Sequence, residues 1–539
     1  DLNAKGLVDA RFDINNPDHA SFLQELAYIN ETGKLWYRDA HSGVWDFKQY
    51  SKLENHGGEL ANNLSIILPE ILGLYESFEK AGLRDVEFKF GEENCMGLWM
   101  NFAVVNMIGE MRYKYSYADA DGNSHTYDVV TILSDPQNPG FGKVTMTDEN
   151  GVIIEYKIPA TTVKEIISSE ANVVQDLVDF YGLFNETFNP YNSDDSGMLS
   201  YWGSVDRTGL LISIENGEAK ITYVPELKGN VKELFTNIGQ VLGAVQTFYG
   251  RNFSINNSDD MGKLTFWALV NMTGEMESDY TYNNVTYKIK TKIGGTSTTI
   301  TVYDATGNEI FQTNPIAVAV TVDKILAGQM KILDPLKDLY AKYSTIPFNP
   351  NNKEDIGALG SFVLTDLLGG YVSVSRDKYG KDTWKYVDEP QLRGKVAELL
   401  PACWKNADKV KLAYEATGKT FNIRNNDCSG FVTYYGKVEL NKEMVSDYTK
   451  NGVRYKSTYN LLTGLLTVVD GNGDLVYEYD KGATTVDRIL SSMIAVAPDV
   501  ISLFNDLNAK GLVDGRFDIN NPDHASFLQE LAYINETGK

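Results

Sequence analysis

FSINNSDDMG, running from Phe253 to Gly262, is one of seven related stretches in a chain of 539 residues. The others read FDINNPDHA from Phe12, FKFGEENCMG from Phe88, FNPYNSDDSG from Phe188, FNPNNKEDIG from Phe348, FNIRNNDCSG from Phe421, and FDINNPDHA again from Phe517. Each joins a Phe to an Asn/Asp-rich loop. Such self-similarity is read before any local pattern, because each repeated piece leans on its neighbours for a core. Short and long gaps alternate between the Phe residues, so the stretches open two module types. The spacing predicts residues 1–11 as the end of a helix from a preceding repeat, 12–87 as module A1, 88–187 as B1, 188–252 as A2, 253–347 as B2, 348–420 as A3, 421–516 as B3, and 517–539 as the start of the next A1.

A second, longer repeat frames these. Asp506–Lys539 matches Asp1–Lys34 except for Gly515 in place of Ala10, a period of 505 residues. The B modules share a register within it. From Gly97, Gly262 and Gly430 it is 13 residues to the pairs Glu110-Met111, Glu275-Met276 and Glu443-Met444, and five from each Glu to Tyr115, Tyr280 and Tyr448. These pairs read as sheet-packing positions carried along with the module.

The expected fold class is α+β, mainly antiparallel β. Each module is predicted as an antiparallel sheet of about three to five strands followed by a helix packed on one face, strung as a repeat array. In A2, Leu210–Val224 reads as a hairpin turning at Glu215-Asn-Gly-Glu218, and A1 and A3 offer similar pairs. The apolar run ahead of each pair is expected to be a third strand. The B modules read as four strands or more, with tight turns at Tyr282–Tyr287, within Asp447–Tyr455, and at Thr147, Asp304 and Asp470. Val231, Leu234, Phe235, Ile238, Leu242, Val245 and Tyr249 recur at helical spacing. Thr162, Thr321 and Thr485 are expected helix N-caps. Breaks or kinks are expected at Pro69, Pro335, Pro401 and Pro498.

The formal charge of −24 argues against nucleic acid and anionic membrane as partners, both of which need Lys and Arg. Cys95, Cys403 and Cys428 form no zinc pattern and no disulfide framework. No apolar run is long enough to span a membrane. The chain begins without Met and shows no signal peptide, as expected of a mature product or a window of something longer. None of His19, His41, His56, His125 and His524 recurs across the A–B pairs, and no nucleophile–His–acid trio is marked, so no catalytic residue and no bound cofactor are predicted.

Two other chemistries fit residue types in the chain. Carboxylates with Asn carbonyls suit Ca²⁺, which makes Asp194, Asp195, Asp259 and Asp260 the metal candidates. Against this, Asn and Asp close turns on their own backbone, and Cys95 and Cys428 stand where Asp260 does, a swap a turn tolerates and a metal ligand does not. Asp119–Asn123 and Asp470–Asp474 begin like a calcium loop, but their glycine comes early and no closing Glu follows. Trp36, Trp45, Trp202, Trp267, Trp384 and Trp404 could stack sugars where exposed. Eight Asn-x-Ser/Thr sites, beginning at Asn30 and Asn63, would carry glycans only in a glycosylating compartment.

In organisation the chain is similar to large tandem-repeat surface proteins of microbes, such as adhesin stalks and fibre-forming proteins. That likeness transfers no residue roles. The expected function is a structural subunit or segment of an extracellular filament or stalk on a cell surface. Its partner is itself, head to tail, with Asp1–Lys34 and Asp506–Lys539 as equivalent assembly segments. A giant single chain is favoured over exchanged protomers, because the Ala10/Gly515 difference suggests two genomic copies; exchange, if it occurs, is read as strand addition. The alternative is an adhesin binding glycan or a host surface, and a third reading is a secreted hydrolase.

Overall fold

Asn16, Asn192, Asn257, Asn352, Asn425 and Asn521 each accept a hydrogen bond from a backbone N–H two or three residues on, at 2.8–3.1 Å for the shortest bond of each. Satisfying the orphan donors of a first turn in this way starts a helix. In the computed structural model every Phe-Asx stretch accordingly runs into a helix of 16 residues. The structure describes residues 11–38, 45–83, 86–118, 124–215, 218–282, 285–349, 352–376, 382–450, 452–513 and 515–538. The predicted helix end at 1–11 thus lies almost wholly outside the described residues, as do the turn residues Asp119–Asn123.

The chain divides into two units, Asp1–Thr273 and Gly274–Lys539, a cut that falls inside B2. In the first, A1 comprises α1 (Pro17–Thr32), β1 (Lys34–Arg38), β2 (Trp45–Gln49) and α2 (Gly57–Lys80). B1 follows with α3 (Glu93–Ile108), β3 (Glu110–Ala118), β4 (Ser124–Ile132), β5 (Phe141–Thr147), β6 (Ile153–Pro159) and α4 (Val163–Leu183). A2 holds α5 (Ser193–Thr208), β7 (Leu210–Glu215), β8 (Glu218–Tyr223) and α6 (Val231–Tyr249), and α7 (Ser258–Thr273) closes the unit.

The second unit begins with β9 (Glu275–Tyr282), β10 (Val285–Lys292), β11 (Thr299–Tyr303), β12 (Glu309–Gln312) and α8 (Val322–Tyr343). A3 contains α9 (Lys353–Leu368), β13 (Gly370–Arg376), β14 (Asp382–Asp388), α10 (Val396–Lys405) and α11 (Ala407–Glu415). B3 contains α12 (Asn426–Asn441), β15 (Glu443–Lys450), β16 (Val453–Asn460), β17 (Leu465–Asp470), β18 (Leu475–Asp480) and α13 (Val486–Ala509), after which comes α14 (Pro522–Thr537).

The fold is therefore mixed α+β, with antiparallel sheets of two or four strands and fourteen helices among the described residues. Two expectations are corrected. Among the described residues the A modules hold two strands, not three, because the apolar run ahead of each hairpin is the 16-residue helix. Each module thus reads helix, sheet, helix rather than sheet then helix. Strand addition by the shared terminal segment is corrected with it, since the segment's apolar run forms α1 in one copy and α14 in the other.

A glycine ends most of the short helices and aims the chain into the first strand. At Gly209, φ is +73° and a Cβ would lie 2.7 Å from the Val224 carbonyl, so only glycine fits without strain. The Glu-Met pairs are the first two residues of β3, β9 and β15, and Tyr115, Tyr280 and Tyr448 stand opposite Tyr127, Tyr287 and Tyr455 across the first hairpin. Asp148, Asp304 and Asp470 turn the last hairpins. Each carboxylate accepts the N–H groups two and four residues on, at 2.7–3.0 Å, so the calcium-like segment at Asp470 is a turn.

The expected Thr caps hold. Thr162 forms a reciprocal capping box with Glu165, and Thr321 and Thr485 cap α8 and α13. Helices α2, α8 and α13 continue through Pro69, Pro335 and Pro498, so no helix break occurs there. The helix of A3 does divide, at Asn406, just after Pro401. No helix among the described residues is long and apolar enough to cross a membrane.

Candidate assembly interface

The long helix of each module packs on the short helix of the next: α2 on α3, α4 on α5 and α6 on α7 in the first unit; α8 on α9, α10 on α12 and α13 on α14 in the second. Long helices also pack in succession, α2 on α4 on α6, and α8 on α10 with α11 on α13. From Phe88 onward, the Phe that marks each module sits in this seam, set against an aromatic ring of the preceding long helix. The pairs are Tyr75–Phe88, Tyr181–Phe188, Tyr249–Phe253, Tyr340–Phe348, Tyr414–Phe421 and Phe504–Phe517, with ring centroids 5.4–5.8 Å apart and mostly edge to face.

Below the Phe, the third helical residue carries one recurring hydrogen bond. The N–H of the residue after the Phe donates to the side chain of His19, Cys95, Asp195, Asp260, Asp355, Cys428 or His524, at 2.8–3.4 Å. His, Cys and Asp share an acceptor atom at the right reach, which explains their interchange. Two of the four calcium candidates, Asp195 and Asp260, take this bond, and all four lie in first helical turns. Asp195 accepts this N–H and the hydroxyl of Tyr181 at 2.9 Å. Asp260 accepts it from Ser254 and pairs with Arg251; Asp259 pairs with Lys263. Asp194 is exposed, and its N–H is held by Asn192. These acids are apportioned to α5 and α7, and no group of three or more His, Cys, Asp or Glu side chains suited to a metal occurs among the described residues.

Four residues further along each short helix after α1 comes an apolar side chain of the seam. Trp99, Leu199, Leu264, Leu359, Val432 and Leu528 are all buried there. Another four on, the residues are small in five helices, Ala103, Gly203, Ala268, Gly436 and Ala532; α9 has Val363 there, and the small partner is Gly328 of α8, where a Cβ would lie 2.8 Å from Val363. A Cβ on Gly203 would lie 3.0 Å from the Glu170 side chain, and one on Gly436 would lie 2.2 Å from Cys403 Sγ, so small residues let the helices approach. Buried Glu170 accepts the hydroxyl of Ser200 at 2.8 Å. Burial pushes its carboxyl up to about 7, and burial likewise lowers the Arg207 guanidinium from its ordinary value.

The sheets make a matching seam. Ile212 and Ile221 of the A2 hairpin pack on Tyr127, Val129 and Met146 of the B1 sheet. In the second unit, Val372, Val374 and Trp384 of A3 pack on Tyr282, Tyr287 and Val302 of B2. Of the sugar-stacking candidates, Trp202 and Trp267 are buried and Trp384 and Trp404 half-buried, while Trp36 is exposed beside Tyr28 and Phe47.

The sequence pointed to Asp/Asn loops and Trp residues; the seam instead runs through the loop Phe, the third helical residue and the small residue eight further on. The constant column of His, Cys and Asp could have revealed it. None of the family models, curated proteins or solved structures compared with the chain matches it.

Proposed function

We propose that the chain is a structural segment of an extracellular filament or stalk on a microbial surface, in which modules form a linear repeat array and copies follow one another head to tail. The observation that carries this reading is the recurring seam. One long helix, one ring pair and one small residue join module to module, which is the nearest-neighbour packing of repeat proteins. The 34-residue match between Asp1–Lys34 and Asp506–Lys539 supplies the same joining element at the 505-residue period. A heterologous contact that does not close extends into a fibre. Negative-stain microscopy of the native material tests this: long unbranched filaments are expected, and dispersed single particles would contradict it. An intact denatured mass near 60.1 kDa would exclude the giant-chain version and leave separate copies.

The adhesin alternative draws on Trp36, exposed beside Phe47. Glycan binding retained by the whole chain, and lost with Trp36→Ala without loss of filaments, would favour it.

A further inference from the structure

The two copies of the terminal segment bury different faces. In α1, Ile29 is buried, Phe22 packs on Phe90 and Trp99 of the module that follows, and Leu23 is 44% exposed. In α14 the situation reverses: Leu528, the counterpart of Leu23, is 0% exposed, and Ile534, the counterpart of Ile29, faces solvent. Ile14 is 56% exposed where its counterpart Ile519 is 4% exposed. What covers the second copy is B3. Phe504 packs on Phe517, Tyr533 on Tyr459, Lys481 bridges Glu530 at 2.9 Å, and Asn520 donates to Asp427 at 2.8 Å. Every other short helix packs on the long helix before it and has its equivalent of Leu23 buried. α1 and α14 are therefore two halves of one seam.

The sheets show the same complementarity. Trp36 and Phe47 sit opposite each other in the A1 hairpin, at the register positions that Ile212 and Ile221 hold in A2, and both are exposed. On B3, Tyr455 and Val468 hold the positions of Tyr127 and Met146 in B1; Val468 is buried and Tyr455 half-buried, and Tyr477, opposite Val468, is 53% exposed. In B1 the corresponding face is covered by the next hairpin.

We infer that the A1 end of one copy seats on the B3 end of a second copy of this chain. α1 takes the place α14 holds against α13, and Trp36 and Phe47 cover the face of Tyr455, Val468 and Tyr477. The exchange is favoured because α14 brings one helix, whereas α1 brings its hairpin too, and the junction then buries apolar surface that each end leaves in water. This inference rests on the filament reading and specifies its contact.

The test places one substitution in both copies of the same sequence and follows sedimentation of the full chain with concentration. Leu23→Glu, at an exposed site, blocks head-to-tail association. Leu528→Glu places a charge in a buried site, unseats α14 and opens α13 to a second copy, so association sets in at roughly tenfold lower concentration than for the unsubstituted chain. The double variant Leu23→Glu/Leu528→Glu is monomeric, which separates the junction from non-specific clumping of exposed apolar surface. The inference is overturned if Leu528→Glu associates no more readily than the unsubstituted chain, or if the double variant associates as Leu528→Glu does. Filaments in the native material beside either result would discard this junction and leave the filament reading standing; native material without filaments would remove the reading itself.

Discussion

The hydroxyl of Tyr287 donates to Oδ2 of Asp382 at 2.6 Å, tying the four-stranded sheet of B2 to the A3 hairpin across 95 residues of chain. The ring of the same Tyr lies edge-on to Trp384, with centroids 4.9 Å apart. A hydrogen bond to a charged group contributes about 1.5–3 kcal/mol, so Tyr287→Phe, which keeps the ring, is expected to lower the stability of the second unit by roughly that amount. Urea unfolding measures the loss, and a double-mutant cycle with Asp382→Ala should show that the two changes are not additive. Additive losses would mean the pair is not coupled.

Two glycines of α12 should respond in opposite directions. Gly436→Ala places its Cβ 2.2 Å from Cys403 Sγ in the helix seam, and overpacking of this kind costs about 1–3 kcal/mol. Gly430→Ala meets nothing within 4 Å and exchanges a poor helix former for a good one, a gain of up to about 1 kcal/mol. Thermal melts of the two variants give the comparison, and equal effects would contradict the seam as drawn.

The acids at the helix starts are expected to act through hydrogen bonds and ion pairs rather than through calcium. Asp355 accepts both Nε and an Nη of Arg424 at 3.1 Å, together with the N–H of Asn349 at 2.8 Å. Asp355→Ala removes the counter-charge of a mostly buried guanidinium, which keeps only the oxygens of Ser344, Ile346 and Pro347, and should cost about 3 kcal/mol. Millimolar calcium or a chelator should leave the melting temperature of the unsubstituted chain unchanged. A calcium-dependent rise lost in Asp195→Asn or Asp260→Asn would restore the metal reading.

Glu170 should make the first unit pH-sensitive. Its carboxyl titrates near 7 when folded and at its ordinary 4.5 when unfolded, because burial penalises the charge. Between these values the folded state binds the extra proton, so stability is greatest below pH 4.5 and falls as pH rises toward 7, by an amount on the order of 3 kcal/mol. Glu170→Gln removes this dependence while keeping an acceptor for Ser200. Denaturant midpoints at pH 5 and pH 8 test it; a midpoint that rises with pH, or an unchanged slope in Glu170→Gln, would contradict it.

Much of this was legible in the sequence. The Thr162, Thr321 and Thr485 caps, the α6 stripe from Val231 onward and the pairing of β7 with β8 follow from local chemistry, and those elements have one buried face. The short helices were missed for the opposite reason. Modules on both sides cover them, so apolar residues surround the helix and no stripe stands out: in α3, Cys95, Trp99, Phe102, Val104 and Val105 are all buried. Their termini were nonetheless written in the chain, as an Asn cap at one end and Gly33, Gly209, Gly274 or Gly369 at the other. The seam stayed hidden because His, Cys and Asp look unlike until one backbone N–H is seen to unite them.

A cryo-electron microscopy reconstruction of the assembled material tests the central claim most directly. One helix of the repeated segment should lie between α13 of one copy and the β1–β2 hairpin of the next, with Leu23 and Ile29 both buried and the pattern recurring every 505 residues. Filaments in which Leu23 and Trp36 face solvent, or no filaments at all, would contradict it.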